Sequence, residues 1–303
     1  MTGYNTEDND RQLSLMSIYD EDLKRLERRI GKDRSASTWK ALLQGRNYVQ
    51  MFLRDHLQSD DIPLEKVASQ FIHDFSTYLS AERGLKGGTV WLACQQLKGV
   101  VTRAHQRGLM PWNPFAGFHI AKNIRPRDHL TEDELVRLMA HVFRKKELAY
   151  TRDVFVFSAF TGLAFVDMKE LRHCDIAEVN GSKWIFSQRH KTHIPYQVKL
   201  LDTPLAILRK YDTTGGLIFG DMNYRTMVKR LHRVMEEVGI RKRISFHSAR
   251  HTFAVMALNN GMPIESLSRM LGHSNITTTQ IYAKITLKKL DDDMSRLADR
   301  LGF

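Results

Sequence analysis

His247-Ser248-Ala249-Arg250-His251, then Leu271-Gly272-His273, then Tyr282 place three histidines, an arginine and a tyrosine within 36 residues. On a helix, His247 and Arg250 are three apart and point the same way, and His251, four from His247, shares much of that face. Two chemistries suit such a set. One is a zinc pair, His247 and His251 at HxxxH spacing with His273 as a third ligand. No glutamate follows the first histidine, and Arg250 between the two repels a divalent cation. The other is an anion cage, in which Arg250 and the histidines donate to a phosphate while a hydroxyl attacks it. A phosphodiester needs its negative oxygens neutralised as the pentacoordinate transition state forms, and arginine with histidines does this without a metal. Taken singly, each residue also fits a solvated basic helix or a histidine satisfied in a core.

The chain around these residues is 303 residues long, enough for about two domains with cores that need no disulfide. It carries 46 Lys and Arg against 34 Asp and Glu, a net charge of +12, which makes a polyanion the first partner to consider. Residues 123–303 hold 29 basic and 20 acidic side chains, residues 35–122 hold 10 and 6, and residues 1–34 hold 7 and 8. The basic residues are interspersed with apolar ones rather than blocked, the pattern of a folded surface meeting phosphates. Cys94 and Cys174 fall in different domains without CxxC spacing, so a reducing compartment is expected and a cysteine zinc site is not. The most apolar stretch, Val154 to Val166, is too short to span a bilayer and carries Ser158 and Thr161, so a cytoplasmic, unanchored protein is expected.

Residues 1–34 show only a weak helical period (Leu13, Leu15, Ile18, Leu23, Leu26, Ile30) and read as an arm. Residues 35–122 carry apolar helical faces, Trp39 to Leu53 and Val67 to Leu79, and a third helix after Gly87-Gly88; they predict a bundle of about four helices. The segment 121–129, with Arg125 and Arg127 flanking Pro126, reads as a charged linker suited to a phosphate backbone. Thr131 and Glu134 form a capping signature, and helices run from there to about Arg172. Lys183 to Ser187 and Ile194 to Leu201 predict a β-hairpin with Lys191 in its polar tip, Gln188 to His193. Helices resume to the end, where Leu287, Leu290, Met294, Leu297 and Leu301 form an apolar seam.

The run HSARHTFAVMALNNGMPIESLSRMLGHSNITTTQIYAKI resembles, in order and spacing, the HxxRH…LGH…Y signature of the tyrosine recombinases, the phage-integrase family, and the YAKIT run is similar to that of integrases from Bacteroidetes mobile elements. The resemblance covers residues 35–303. It implies a mainly α protein: an N-terminal helical core-binding, SAM-like bundle (35–122), and a C-terminal mixed α/β catalytic domain (123–303) with a small β-hairpin sheet. In the family the two domains clamp duplex DNA. The tail from about 285 docks on a neighbouring protomer, so a homotetramer on synapsed sites, monomeric or weakly associated off DNA, is implied, with accessory DNA-bending proteins as further partners.

Carried over by position, Tyr282 is the nucleophile, His247 and Arg250 the second motif, His273 the LGH histidine and Lys191 the hairpin lysine. The reaction implied is transesterification to a 3′-phosphotyrosyl link with a free 5′-hydroxyl, with no cofactor, metal or ATP. Lys191 would protonate the leaving oxygen and His247 act as base or donor, while His251 would support from behind. The sequence departs from the pattern at Thr161-Gly162-Leu163, where the family's first arginine is replaced by Ala164; Asp167 is kept. Arg189, two residues before Lys191, is the expected replacement, with Arg152 and Arg172 as weaker ones. The alternative is a catalytically silent DNA-binding relative. The short segment before the bundle favours a simple recombinase or invertase over an integrase with an arm-binding domain.

Overall fold

The computed structural model describes residues 13–121, 128–190, 192–211, 216–282 and 287–302, and their side chains except those of 287–290, 292 and 293. The chain divides into two units, Met1–Arg125 and Pro126–Phe303.

In the first unit, α1 (Leu15–Glu27), α2 (Ala36–Leu57), α3 (Ser69–Thr77) with a π-helical continuation to Glu82, and α4 (Gly87–Gln106) surround one core that includes Val49, Phe52, Phe75 and Leu97. The stretch expected to be an arm is, from Leu15 onward, part of this core. Ser14 and Ser17 close a capping box at its start, and Leu15, Ile18 and Tyr19 are fully buried. Its period looks weak because charges interrupt it, yet two of those charges are cross-helix partners. Arg46 of α2 donates to Asp20 at 2.5 Å, and Arg103 of α4 donates to the buried Asp22 at 2.8 Å. The charged linker expected around Pro126 falls mostly in 122–127, outside the described residues.

The second unit opens with α5 (Glu132–Ala140), capped by the reciprocal Thr131–Glu134 pair. Next come α6 (Lys146–Thr161) and α7 (Phe165–Glu170), parted at Gly162 to Ala164 in the TGL motif, the helices expected to about Arg172. A sheet of β1 (Ile176–Val179), β2 (Ser182–Gln188) and β3 (Pro195–Lys199) follows, antiparallel and in the order β1-β2-β3. The expected hairpin is thus β2–β3, with Trp184 opposite Lys199 and Gln188 opposite Pro195. The sequence reading missed β1, whose side chains are largely exposed and show no apolar alternation. Its signal was the pair Asn180-Gly181, with φ of 51° and 72°, the two-residue turn that suits strand twist.

The remaining helices are α8 (Asp202–Lys210), α9 (Tyr224–Glu237), α10 (Phe246–Asn259), α11 (Ile264–Met270), α12 (Thr277–Gln280) and α13 (Leu287–Leu301). Helices α6 and α10 are both buried along most of their length and pack on each other, which makes α10 the rigid central element of the unit. The Thr252 hydroxyl of α10 accepts the Leu130 N–H at 3.0 Å, tying in the start of the unit.

Candidate active site

Arg250 lies in the second turn of α10 with only 2% of its surface exposed. Its guanidinium is fixed by backbone: Nη1 donates to the Gly162 carbonyl at 2.7 Å and Nη2 to the Leu271 carbonyl at 2.5 Å. Burial, then the neighbouring Arg189 charge, push its pKa down to about 10, with Tyr282 and Asp167 pulling the other way. It stays charged at neutral pH. Gly162 brings its carbonyl this close from a left-handed turn, φ 70°, where a Cβ would lie 2.6 Å from Phe253 and 2.8 Å from Leu271. The TGL glycine therefore serves the arginine of another motif.

His273 follows α11 and meets Arg250 Nη2 at 2.9 Å through Nε2, while Nδ1 meets the Thr279 hydroxyl at 2.8 Å. Burial, then Arg250, Arg189 and His247, push its pKa down to about 4. The ring is neutral at pH 7, and its partners define the tautomer: Nε2 accepts from Arg250 and Nδ1–H donates to Thr279.

Tyr282 sits in the turn after α12, its N–H donating to the Thr279 carbonyl at 3.0 Å. Its ring packs beside the cluster of Phe253, Ala254, Leu267 and Leu271, and its phenol lies close enough to Arg250 to favour that residue's charged form. The His251 ring meets the Tyr282 ring edge-on at 4.9 Å between centroids, and His247 meets His251 at 4.6 Å.

Arg189 leaves the end of β2 with its side chain 16% exposed and pairs with the buried Asp167 of α7, which also accepts the His190 N–H at 3.1 Å. Its stem runs under Gly272: with φ of 59°, that glycine would carry a Cβ 2.6 Å from Arg189 Cγ. Ala164 precedes α7 and lines an apolar groove of about 500 Å³ with Phe165, Tyr224, Phe246 and His247. Of the weaker candidates, Arg152 is spent elsewhere, donating to the Met139 and His141 carbonyls at 2.9 and 3.0 Å and pairing with Asp153. Arg172 is exposed at the turn into the sheet, its backbone bridged to Leu217. Lys191 lies outside the described residues.

The structure thus brings together Tyr282, Arg250, His247, His251, His273 and Arg189. Sequence reasoning missed the role of Thr279, fully buried against His273, and the two carbonyls that hold Arg250. The run of threonines ahead of Tyr282 was the signal for the first; carbonyls have none. Among the described residues, no group of three or more His, Cys, Asp or Glu side chains is arranged to hold a metal ion. No described helix is long and apolar enough to cross a membrane.

A buried arginine anchored by carbonyls, a neutral histidine, a second arginine and a nearby phenol are groups that phosphotyrosyl transfer can use. A family model, Phage integrase family, matches residues 128–289, and a second, Phage integrase SAM-like domain, matches residues 14–123. Tyrosine recombinase XerC of Halalkalibacterium halodurans is 26% identical over 258 residues, spanning 79% of this chain and 85% of the relative. Tyrosine recombinase XerC of Chlorobaculum tepidum is 39% identical over 173 residues, 51% of each chain. The Tn1549 transposon integrase, solved in complex with a circular intermediate DNA, shares the fold with a TM-score of 0.75 at 18% identity, over 94% of this chain and 99% of that one. The chain belongs to the phage integrase family of tyrosine recombinases.

Proposed function

We propose that this protein is a site-specific DNA recombinase that cuts and rejoins duplex DNA through a 3′-phosphotyrosyl intermediate on Tyr282. The buried Arg250, fixed by two backbone carbonyls and His273 with Tyr282 close enough to perturb its charge, supports the reading: the cation that would neutralise a phosphate lies beside the residue that would attack it. Attack forms the phenolic O–P bond and breaks the bond to the 5′-oxygen, which leaves as a hydroxyl after taking a proton. The phosphodiester energy is kept in the protein–DNA bond, so neither ATP nor a resident metal is called for.

Arg250 stabilises the phosphorane oxygens, and the neutral His273, whose one N–H goes to Thr279, holds Arg250 in place. The resemblance to the family supports His247 as the group that exchanges a proton with the phenol and Lys191 as the acid for the leaving 5′-oxygen. Arg189 takes the place of the arginine that Ala164 lacks. Its charge is close enough to Arg250 and His273 to lower both pKa values, the arrangement of an electropositive hole kept for an anion. Asp167 aims it.

Recombination pairs two duplexes, and a homotetramer on synapsed sites fits the exposed seam of α13, where Met294, Leu297 and Leu301 are 62%, 47% and 60% exposed. We assign α13 to a neighbouring protomer. The test of the activity is covalent capture: cells producing the wild type or Tyr282→Phe are lysed in SDS and protein-linked DNA is sequenced. Discrete DNA ends from the wild type alone are expected; equal background from both would favour the silent DNA-binding relative.

A further inference from the structure

We propose that His251, a buried histidine with no role in the phosphate cage, is a positioning residue for the nucleophile: its imidazole edge fixes the plane of the Tyr282 ring. The inference rests on the reading of Tyr282 as the attacking residue.

Tyr282 follows α12, a helix of one turn (Thr277–Gln280), and its N–H donates to the Thr279 carbonyl at 3.0 Å. A short turn leaves the direction of a long side chain to be set by what the side chain touches. Beside the apolar cluster of Phe253, Ala254, Leu267 and Leu271, two adjacent residues of α10 flank the phenol. Arg250 lies close to it, and His251 meets the ring at 4.9 Å and 63°. Successive helical side chains diverge by about 100°, so one helix approaches the phenol from two directions.

The two neighbours differ during reaction. The hydroxyl oxygen must move onto phosphorus, so its surroundings change as the O–P bond forms. The ring contact survives the step and leaves the oxygen an arc rather than a free sweep. His251 is itself immobile: it is 7% exposed, sits on the buried α10, and is crossed by His247 at 4.6 Å and 87°. Edge-to-face pairs favour this angle because the electropositive rim of one ring meets the negative face of the other. A displacement of about 1 Å in an attacking atom costs on the order of a hundredfold in rate, so a ring clamp acts on cleavage and not on DNA affinity.

The test compares His251→Leu, which fills the space without a ring, and His251→Phe, which keeps a ring without nitrogens. Each is checked for wild-type thermal melting and run beside Tyr282→Phe on the duplex site identified by capture. Expected are DNA affinities within about twofold of the wild type, single-turnover cleavage down roughly tenfold or more in His251→Leu, and recovery to within about threefold in His251→Phe. Wild-type cleavage by His251→Leu, or equal loss in both variants, would overturn the inference, the second result assigning His251 a proton or hydrogen-bond role instead. Covalent product from Tyr282→Phe would overturn the underlying reading of the nucleophile, a distinct result.

Discussion

Arg250 is costly to bury, and the cost is met by two carbonyls and one histidine nitrogen rather than by a directly bonded carboxylate. That choice leaves a net positive charge available to a phosphate, whereas Arg189 is held by Asp167 and pressed against Gly272. Gly272→Ala should therefore act through Arg189. The new Cβ, 2.6 Å from Arg189 Cγ in a left-handed turn, is expected to cost about 1–3 kcal/mol of stability. It should lower cleavage at least tenfold with little loss of binding; chemical denaturation and single-turnover cleavage read the two effects. His273 makes stability depend on pH. Its folded pKa of about 4 lies below the ordinary 6.5, so the unfolded chain binds more protons between those values. Its contribution is full above pH 6.5 and is lost as pH falls towards 4. Urea midpoints at pH 7.5 and pH 5 should differ more for the wild type than for His273→Gln. The residues of this cage were legible because their chemistry is written in a linear motif, and Arg189 because it stands two places from Lys191. The anchors of Arg250 were not, since any residue offers a carbonyl and only folding brings Gly162 and Leu271 to it.

At the level of elements, α10 links the core to the chemistry: Phe246, Ala249 and Phe253 face inward while His247, Arg250 and His251 serve the site. Elements with clean periodicity or caps were readable, α5 from Thr131–Glu134 and β2–β3 from their alternation. Two were not. Helix α1 hid its face behind Asp20 and Asp22, whose partners Arg46 and Arg103 lie 26 and 81 residues away. Strand β1 is an exposed edge with no apolar stripe to betray it. For α13, the proposed docking of the exposed Met294, Leu297 and Leu301 on a neighbouring protomer predicts that removal of the chain after Thr286 leaves DNA affinity within about threefold and abolishes strand exchange. Gel-shift and recombination assays check this; insolubility of the truncated monomer would show that the seam packs on its own unit.

For the whole molecule, a net charge of +12 gives DNA binding a large sequence-independent part that weakens steeply with salt. The chemistry is confined to the second unit, where every described member of the cage resides. Two-domain organisation and a nucleic-acid partner were legible from length, charge and the motif order, whereas the target sequence depends on side chains reaching base edges that no motif marks. The central claim is that a tyrosine, and this tyrosine, becomes bonded to the 3′-phosphate. Mass spectrometry of the SDS-stable complex, digested with trypsin and nuclease, tests it most directly. The account predicts a nucleotide adduct on the peptide containing Tyr282, joined through the 3′-phosphate and absent from Tyr282→Phe. An adduct on any other residue, or a link to the 5′-phosphate, would contradict it.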